Sequence, residues 1–141
     1  MATITGATLP ENKIDGVNIF PLLLGNTNVS PRRYFYYYNK NSLEAVQKDY
    51  WKLVLPHKYR SYVGVLAGKD GWPGKYANDS AKNIELYNLH VDPGERNAVK
   101  SLYPEIVEEL QKIVEEARIE LGDDNVNRLG TNRREPGKVK H

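Results

Sequence analysis

The sequence predicts an α+β domain, a small antiparallel sheet of about four strands packed against a long C-terminal helix. Three observations carry this. An unbroken aromatic run, "YFYYY" over residues 34–38, opens a series of short β-prone segments divided by polar turns. "IELYNL", residues 84–89, then returns to period-two alternation before "DPGE". Finally, "PEIVEELQKIVEEARIELG" repeats Ile106, Val107, Leu110, Ile113, Val114, Ala117 and Leu121 at helical spacing. A stripe that wide must face a sheet.

In chain order, "MATITGATLPENKIDG" lacks the basic region and long apolar core of a secretory signal. It reads as a helix already under way, so residues 1–13 are expected to be the end of an element cut inside a longer protein. "IDGVNIFPLLLGN" puts Val17, Phe20, Leu23 and Leu24 on one helical face and stops at Gly25. The aromatic run follows Pro31 and ends at the polar residues 39–41. In "SLEAVQKDYWKLVLP", Leu43, Ala45 and Gln47 share a strand face, "QKD" turns the chain, and a second run over residues 50–55 ends at Pro56. Together these segments form an antiparallel meander.

Residues 65–83, "VLAGKDGWPGKYANDSAKN", read as a long flexible loop carrying Trp72 and Tyr76, of the kind used as lids or binding loops. Pro93 and Gly94 occupy the second and third positions that a type II turn asks for. Pro104 suits the first helical position, Glu105, Glu108 and Glu109 complement the positive helix start, and Gly122 provides the stop. One domain over residues 1–122 is therefore expected, with residues 123–141 a basic, Gly/Pro-punctuated tail.

Composition excludes several classes. The chain has 141 residues, 40% hydrophobic and 27% charged, which suits a single globular domain. A net charge of +2 is too small to call for a nucleic-acid or membrane partner. The longest apolar run, residues 20–24, is far short of the roughly 20 residues that cross a bilayer. With no cysteine there is no disulfide framework, thiolate metal site or cysteine nucleophile.

The search for chemistry finds no phosphate-binding glycine loop, no H-E-x-x-H and no G-x-S-x-G. His57, His90 and His141 are far apart and lack carboxylates at metal-ligand spacing. Asp123 and Asp124 follow the helix stop and read as solvated residues. The one cluster with chemical potential is "LPHKYRSY", where His57, Lys58 and Arg60 leave a strand end and offer donors suited to sulfate, phosphate or carboxylate. Its alternative is a solvated basic strand end. Aromatic rings interleaved with Lys and Arg also allow stacking on bases or sugars, although "YFYYY" itself reads as a half-buried strand.

The pieces "IDGVNIFPLLLG", "SPRRYFYYYN", "LEAVQKDYWKLVLPHKYRSY", "ELYNLHVDPGERNAV", "PEIVEELQKIVEEARIELGD" and "NRREPGKV" resemble, in this order, the C-terminal part of the sulfatase family. The resemblance is to the arylsulfatase A and N-acetylgalactosamine-6-sulfatase type found in bacteria, and it covers nearly the whole chain. It implies a C-terminal subdomain, a four-stranded antiparallel sheet with a helix on it, beside an N-terminal catalytic domain of the same parent chain. It further implies a sulfated small molecule or glycan as the parent's substrate, and a parent that is periplasmic or secreted.

The family's catalytic parts are a formylglycine made from a C/S-x-P-x-R motif and a calcium site in the large domain. This sequence contains no such motif, since "SPRRY" at Ser30 has its proline one place early. The chain alone is therefore expected to hydrolyse nothing and to hold no cofactor of its own. Family position turns attention to His57, Lys58 and Arg60, and to the loop residues Trp72, Lys75 and Tyr76, as contacts to the sugar or aryl part of the substrate or its further anionic groups. His90 reads as a polar residue at a strand end. For the basic tail two readings stand, docking on the large domain or disorder in the isolated fragment, and a surface cut from its partner makes self-association unsurprising. The competing reading is an independent module binding sulfated glycan or single-stranded nucleic acid through Tyr, Lys and Arg.

Overall fold

The computed structural model describes residues 2–11 and 13–133, divided into two units, residues 1–33 and 34–141. In the first unit, Ala2–Thr5 (α1) and Phe20–Leu23 (α2) are single helical turns. Asn18 Oδ1 accepts the Phe20 N–H at 3.0 Å, and Pro21 sits in the first turn, where a missing N–H costs nothing. Gly25 stops the turn at φ +71°, and the Asn26 N–H closes back on the Pro21 carbonyl at 2.9 Å. Val17 precedes this short helix, and Leu23 and Leu24 are exposed.

The second unit carries the core. Its strands are β1 (Phe35–Asn39), β2 (Ser42–Lys48), β3 (Trp51–Val54), β4 (His57–Ser61), β5 (Ala77–Ala81) and β6 (Glu85–Asn88). A 17-residue helix, α3 (Pro104–Glu120), follows, and then a small hairpin of β7 (Gly122–Asp123) and β8 (Arg128–Leu129). Four strands form one antiparallel sheet in the order β1-β2-β3-β6. The turns between β1 and β2 and between β2 and β3 are tight because Lys40 and Asp49 adopt positive φ, at 56° and 52°.

One β-bulge decides which residues reach the core. Tyr37 lies opposite Ala45 but Tyr38 opposite Leu43, so Glu44 has no partner in β1. The expected shared face for Leu43, Ala45 and Gln47 is corrected by this extra residue. Leu43 and Val46 join Leu53, Leu55 and Leu86 beneath the helix, whereas Ala45 joins Val54 and Tyr87 on the opposite side of the sheet. The helix contributes Val107, Leu110, Ile113, Val114 and Ala117, the stripe set by its 3.6-residue period. Truncating one of the fully buried leucines here, Leu53 or Leu110, to alanine would cost about 2–5 kcal/mol.

One turn reading changes. The 92–95 turn closes through the Glu95 N–H to the Asp92 carbonyl at 3.1 Å, but the residue with positive φ is Glu95, at 53°, and not Gly94. The expected type II turn is absent because Asp92 stabilises a different path. Its carboxylate accepts the N–H groups of Arg96 and Asn97 at 2.8 and 2.7 Å.

At the other end of the domain, Gly122 ends α3 at φ +85° as expected. Asp123, however, is not solvated: it is fully buried, and its carboxylate accepts hydrogen bonds from Leu43 N–H at 3.1 Å, Asn125 N–H at 3.0 Å and Arg118 Nε at 3.0 Å. A buried carboxylate persists only when charge and lone pairs are both matched, and here they are. Asp124 fits its reading better, being exposed and 3.4 Å from Arg133 Nη1. Of the stretch expected as a tail, residues 123–133 follow the helix end closely, with the Thr131 and Asn132 N–H groups donating to the Ile119 and Glu120 carbonyls at 2.9 and 2.8 Å. The remainder, residues 134–141, lies outside the described residues, His141 included.

Candidate functional site

The expected long loop is only partly a loop. Residues 77–81 form β5, which pairs antiparallel with β4 as a separate two-stranded sheet, from His57 opposite Ala81 to Ser61 opposite Ala77. "ANDSA" has no apolar alternation to announce a strand. Its β-conformation comes from the ladder with β4 and from Ala81, which packs on the Ala45–Val54–Tyr87 cluster.

Because side chains alternate along a strand, the cluster "HKYR" is divided between two faces. His57 and Tyr59 share one, with ring centroids 5.8 Å apart. His57 is half-buried and donates from Nδ1 to the Leu55 carbonyl at 2.7 Å, a role fixed because a carbonyl only accepts. Its Nε2 then faces the Glu44 carboxylate at 3.8 Å, the side chain that the bulge redirects. The Tyr59 hydroxyl donates to Asp79 at 3.2 Å, and the negative charge of Asp79 raises the Tyr59 phenol's pKa.

Beside them lies a cleft of about 390 Å³ lined by His57, Tyr59, Lys82, Glu85, Tyr87 and Glu95, among others. Its carboxylates are already engaged, Glu85 by the Tyr87 hydroxyl at 2.6 Å and Glu95 by Lys52 Nζ at 2.7 Å. Burial, followed by the contact with Glu85, raises the pKa of the Tyr87 phenol. With Glu44 and Asp79 adjacent, this side of the hairpin is acidic and disfavours an anionic ligand.

Lys58 and Arg60 occupy the opposite side and are exposed. The Arg60 guanidinium lies 4.6 Å from the centroid of Tyr76, a cation–π contact, and Tyr62 meets Tyr76 edge to face at 6.4 Å. Among the described residues, no carboxylate comes within ion-pair distance of Lys58, Arg60 or Lys75. The structure therefore joins Arg60 to Tyr76, adds Tyr62, and separates both from His57. Tyr62 escaped the sequence reading, although an aromatic residue at each mouth of a glycine-rich hairpin loop was a usable signal.

Lys75 and Trp72 sit in the connecting loop, Trp72 78% exposed. That loop is folded back on itself. A Cβ at Gly68 would stand 1.8 Å from the Trp72 carbonyl oxygen and 2.6 Å from the Gly74 nitrogen, so only glycine permits the approach. His90, at the far end of the sheet, packs its ring on Tyr50 at 4.9 Å, away from this hairpin in sequence and in its contacts.

Among the described residues, no group of three or more His, Asp or Glu is arranged to hold a cation, and no helix is long and apolar enough to cross a membrane.

Comparison with known proteins agrees with this architecture. A curated relative, the N-acetylgalactosamine-6-O-sulfatase of Bacteroides thetaiotaomicron, is 29% identical over 122 residues, 84% of this chain but 22% of the relative. A solved structure, from a study of the metabolism of multiple glycosaminoglycans by Bacteroides thetaiotaomicron, superposes with a TM-score of 0.56 at 30% identity and covers 83% of this chain and 23% of that one. The chain thus spans about a fifth of the length of the relatives it matches. Residues 30–138 match the family model described as the C-terminal region of aryl-sulfatase. The chain belongs to the sulfatase family, as its C-terminal region.

Proposed function

We propose that this chain is the substrate-side C-terminal part of a sulfuric ester hydrolase, bracing a catalytic portion outside the chain and adding contacts at the mouth of its pocket. The observation that supports this most is the exposed cationic face of the β4–β5 hairpin. Among the described residues Lys58 and Arg60 carry no carboxylate partner, and the Arg60 guanidinium lies over the Tyr76 ring, 4.6 Å from its centroid. A guanidinium offers paired N–H donors, which suit sulfate or carboxylate oxygens. Trp72 and Tyr76 add faces for the sugar or aryl group. His57 acts from the other side, tying β4 to the Leu55 carbonyl and to Glu44, so that the cations are held in place.

Hydrolysis itself is assigned to the missing portion. The donor set here does not fit calcium: Asp123 is consumed by Leu43, Asn125 and Arg118, and the remaining carboxylates form no cluster among the described residues. Calcium and formylglycine accordingly belong, in this proposal, to the catalytic portion, and the chain by itself is inactive. The name of the Bacteroides relative points to a 6-sulfated N-acetylgalactosamine as the first substrate to try. Export of the parent to the periplasm or the medium is part of the same reading.

The test uses the full-length enzyme. Arg60→Ala and His57→Ala should each raise KM or lower kcat/KM without unfolding the protein, Arg60→Ala by about tenfold, the loss of one charge-assisted hydrogen bond. Unchanged kinetics for both variants would sink the proposal.

A further inference from the structure

We propose that Asp70 isomerises to isoaspartate, a spontaneous modification at the tip of the arm formed by residues 57–81. The sequence contains two Asp-Gly pairs, Asp15–Gly16 and Asp70–Gly71, and the fold treats them differently. Asp70 and Gly71 are the central residues of a tight turn, closed by the Trp72 N–H on the Lys69 carbonyl at 2.9 Å. Both have positive φ, 54° and 78°, the type I′ form. The turn caps a lobe in which Gly68 and Gly74 let residues 66–68 and 72–74 approach backbone to backbone. Asp70 and Gly71 are exposed, and a Cβ at Gly71 would meet nothing within 4 Å. Among the described residues, neither the Asp70 carboxylate nor the Gly71 N–H has a partner.

Isomerisation begins with ring closure, which needs the Gly71 nitrogen beside Asp70 Cγ and eclipsing Cβ about the Cα–C bond. A type I′ turn holds that nitrogen elsewhere. Turning over the 70–71 peptide alone gives type II′, in which ψ of the first central residue moves from about +30° to about −120°, the eclipsed arrangement. The Lys69–Trp72 bond spans both forms, and glycine accepts the accompanying change in the sign of φ. At Asp15 the same flip is opposed, because the carbonyl oxygen of that very peptide accepts Arg32 Nη2 at 3.0 Å.

The chemistry is closed in atoms and electrons. The Gly71 nitrogen attacks Asp70 Cγ and loses its proton, the N–Cγ bond forms, and one carboxylate oxygen leaves as water with that proton and one from solvent. The product is a five-membered succinimide. Water then opens the ring at either carbonyl. Opening at Cγ restores aspartate, whereas opening at the Asp70 main-chain carbonyl routes the chain through Cβ and Cγ and frees an α-carboxylate. The water lost is regained, so the modified chain keeps its mass, and no oxidant, reductant or cofactor is consumed. Isoaspartate lengthens the main chain by one atom at the turn that holds Trp72 at its exit.

The test follows both pairs in the full-length enzyme, held at neutral pH for several weeks and then digested. Isoaspartate is counted by fragmentation in the mass spectrometer and by resistance to an endoproteinase that cuts before aspartate but not before isoaspartate. Asp70 should convert about fivefold faster than Asp15, the factor expected where one net hydrogen bond holds the second peptide in place. Arg32→Ala should close that gap by speeding Asp15. Asp70→Glu, which would need a six-membered ring, should abolish the modification at the turn. In denaturing urea, where neither the turn nor the Arg32 contact persists, the two pairs should convert alike. Equal rates in the folded enzyme, an Asp15 that leads, or a ranking that survives in urea would overturn the inference.

Discussion

The carboxylate of Asp123 accepts the main-chain N–H of Leu43, a residue 80 positions earlier, and so ties the end of α3 to the start of β2. Leu43 and Asp123 are both fully buried, and the same carboxylate holds Arg118 Nε at 3.0 Å. Asp123→Ala would strand a buried N–H and a half-buried guanidinium together. The expected cost is about 3 kcal/mol, read as a lower urea midpoint at unchanged m-value. A loss under about 0.5 kcal/mol, the usual range for surface substitutions, would show that the tie contributes nothing.

Tyr38 makes the second tie between sheet and helix end, its hydroxyl donating to the Gly122 carbonyl at 2.7 Å. Burial, and then the charge of Asp123, raise the phenol's pKa to about 12. The folded state thus holds this proton more tightly than the unfolded chain, where tyrosine titrates near 10. The resulting stability is complete below about pH 10 and drains away as pH rises towards 12. Tyr38→Phe should be less stable than the parent chain at pH 7, by about 1 kcal/mol for the lost hydrogen bond, and the gap should close by pH 11. A constant gap in melting temperature across that range would refute the assignment.

Glu115 shifts the other way. Hydrogen bonds from Arg118, at 2.8 Å, and from Arg128 lower its carboxyl pKa. A lowered folded-state pKa gives stability that is present above the unfolded value, about 4.3, and lost as pH falls through the folded one. The side chain is half exposed, so screening keeps the effect below about 1 kcal/mol. Glu115→Gln should cost a few tenths of a kcal/mol at pH 6 and 0.1 M salt, and nothing at pH 3 or in 1 M salt. A penalty that persists at pH 3 would mean packing, not charge, is responsible.

These ties mark the boundary of what the residues disclosed in order. The helix stripe, the aromatic strand and the Gly122 stop were legible because each is a local pattern, periodic or conformational, contained in a few consecutive residues. Asp123 was not, since two aspartates after a glycine look alike, and only the fold brings Leu43 and Arg118 to one of them. The bulge at Glu44 was hidden for a similar reason: an extra residue in a strand leaves no trace in period two, yet it moves Leu43 and Ala45 to opposite faces. β5 escaped because pairing with β4, not its own residues, makes it a strand. At the candidate site, the donors were legible by type, and their division between two faces followed from alternation once β4 was fixed. The Arg60–Tyr76 contact joins residues 16 apart, by their numbers, and needed the hairpin register.

The arm itself offers a way to separate local order from global stability. Gly68 lies against backbone on two sides, and an alanine there would place Cβ 1.8 Å from the Trp72 carbonyl, a contact no flexible side chain can relieve. Gly68→Ala must therefore open the 66–74 lobe. The lobe adds nothing to the cluster of Leu43, Val46, Leu53, Leu86 and Leu110, so the melting temperature should fall by no more than about 2 °C, while amide exchange and proteolysis within residues 66–74 accelerate at least tenfold. If the arm binds ligand as a preformed part of the proposed substrate side, the same variant in the full-length enzyme should raise KM with kcat little changed. Should the lobe open without any change in KM, its folded shape is irrelevant to the ligand. Should the core melt with it, the hairpin is part of the folding unit and not an appendage to it.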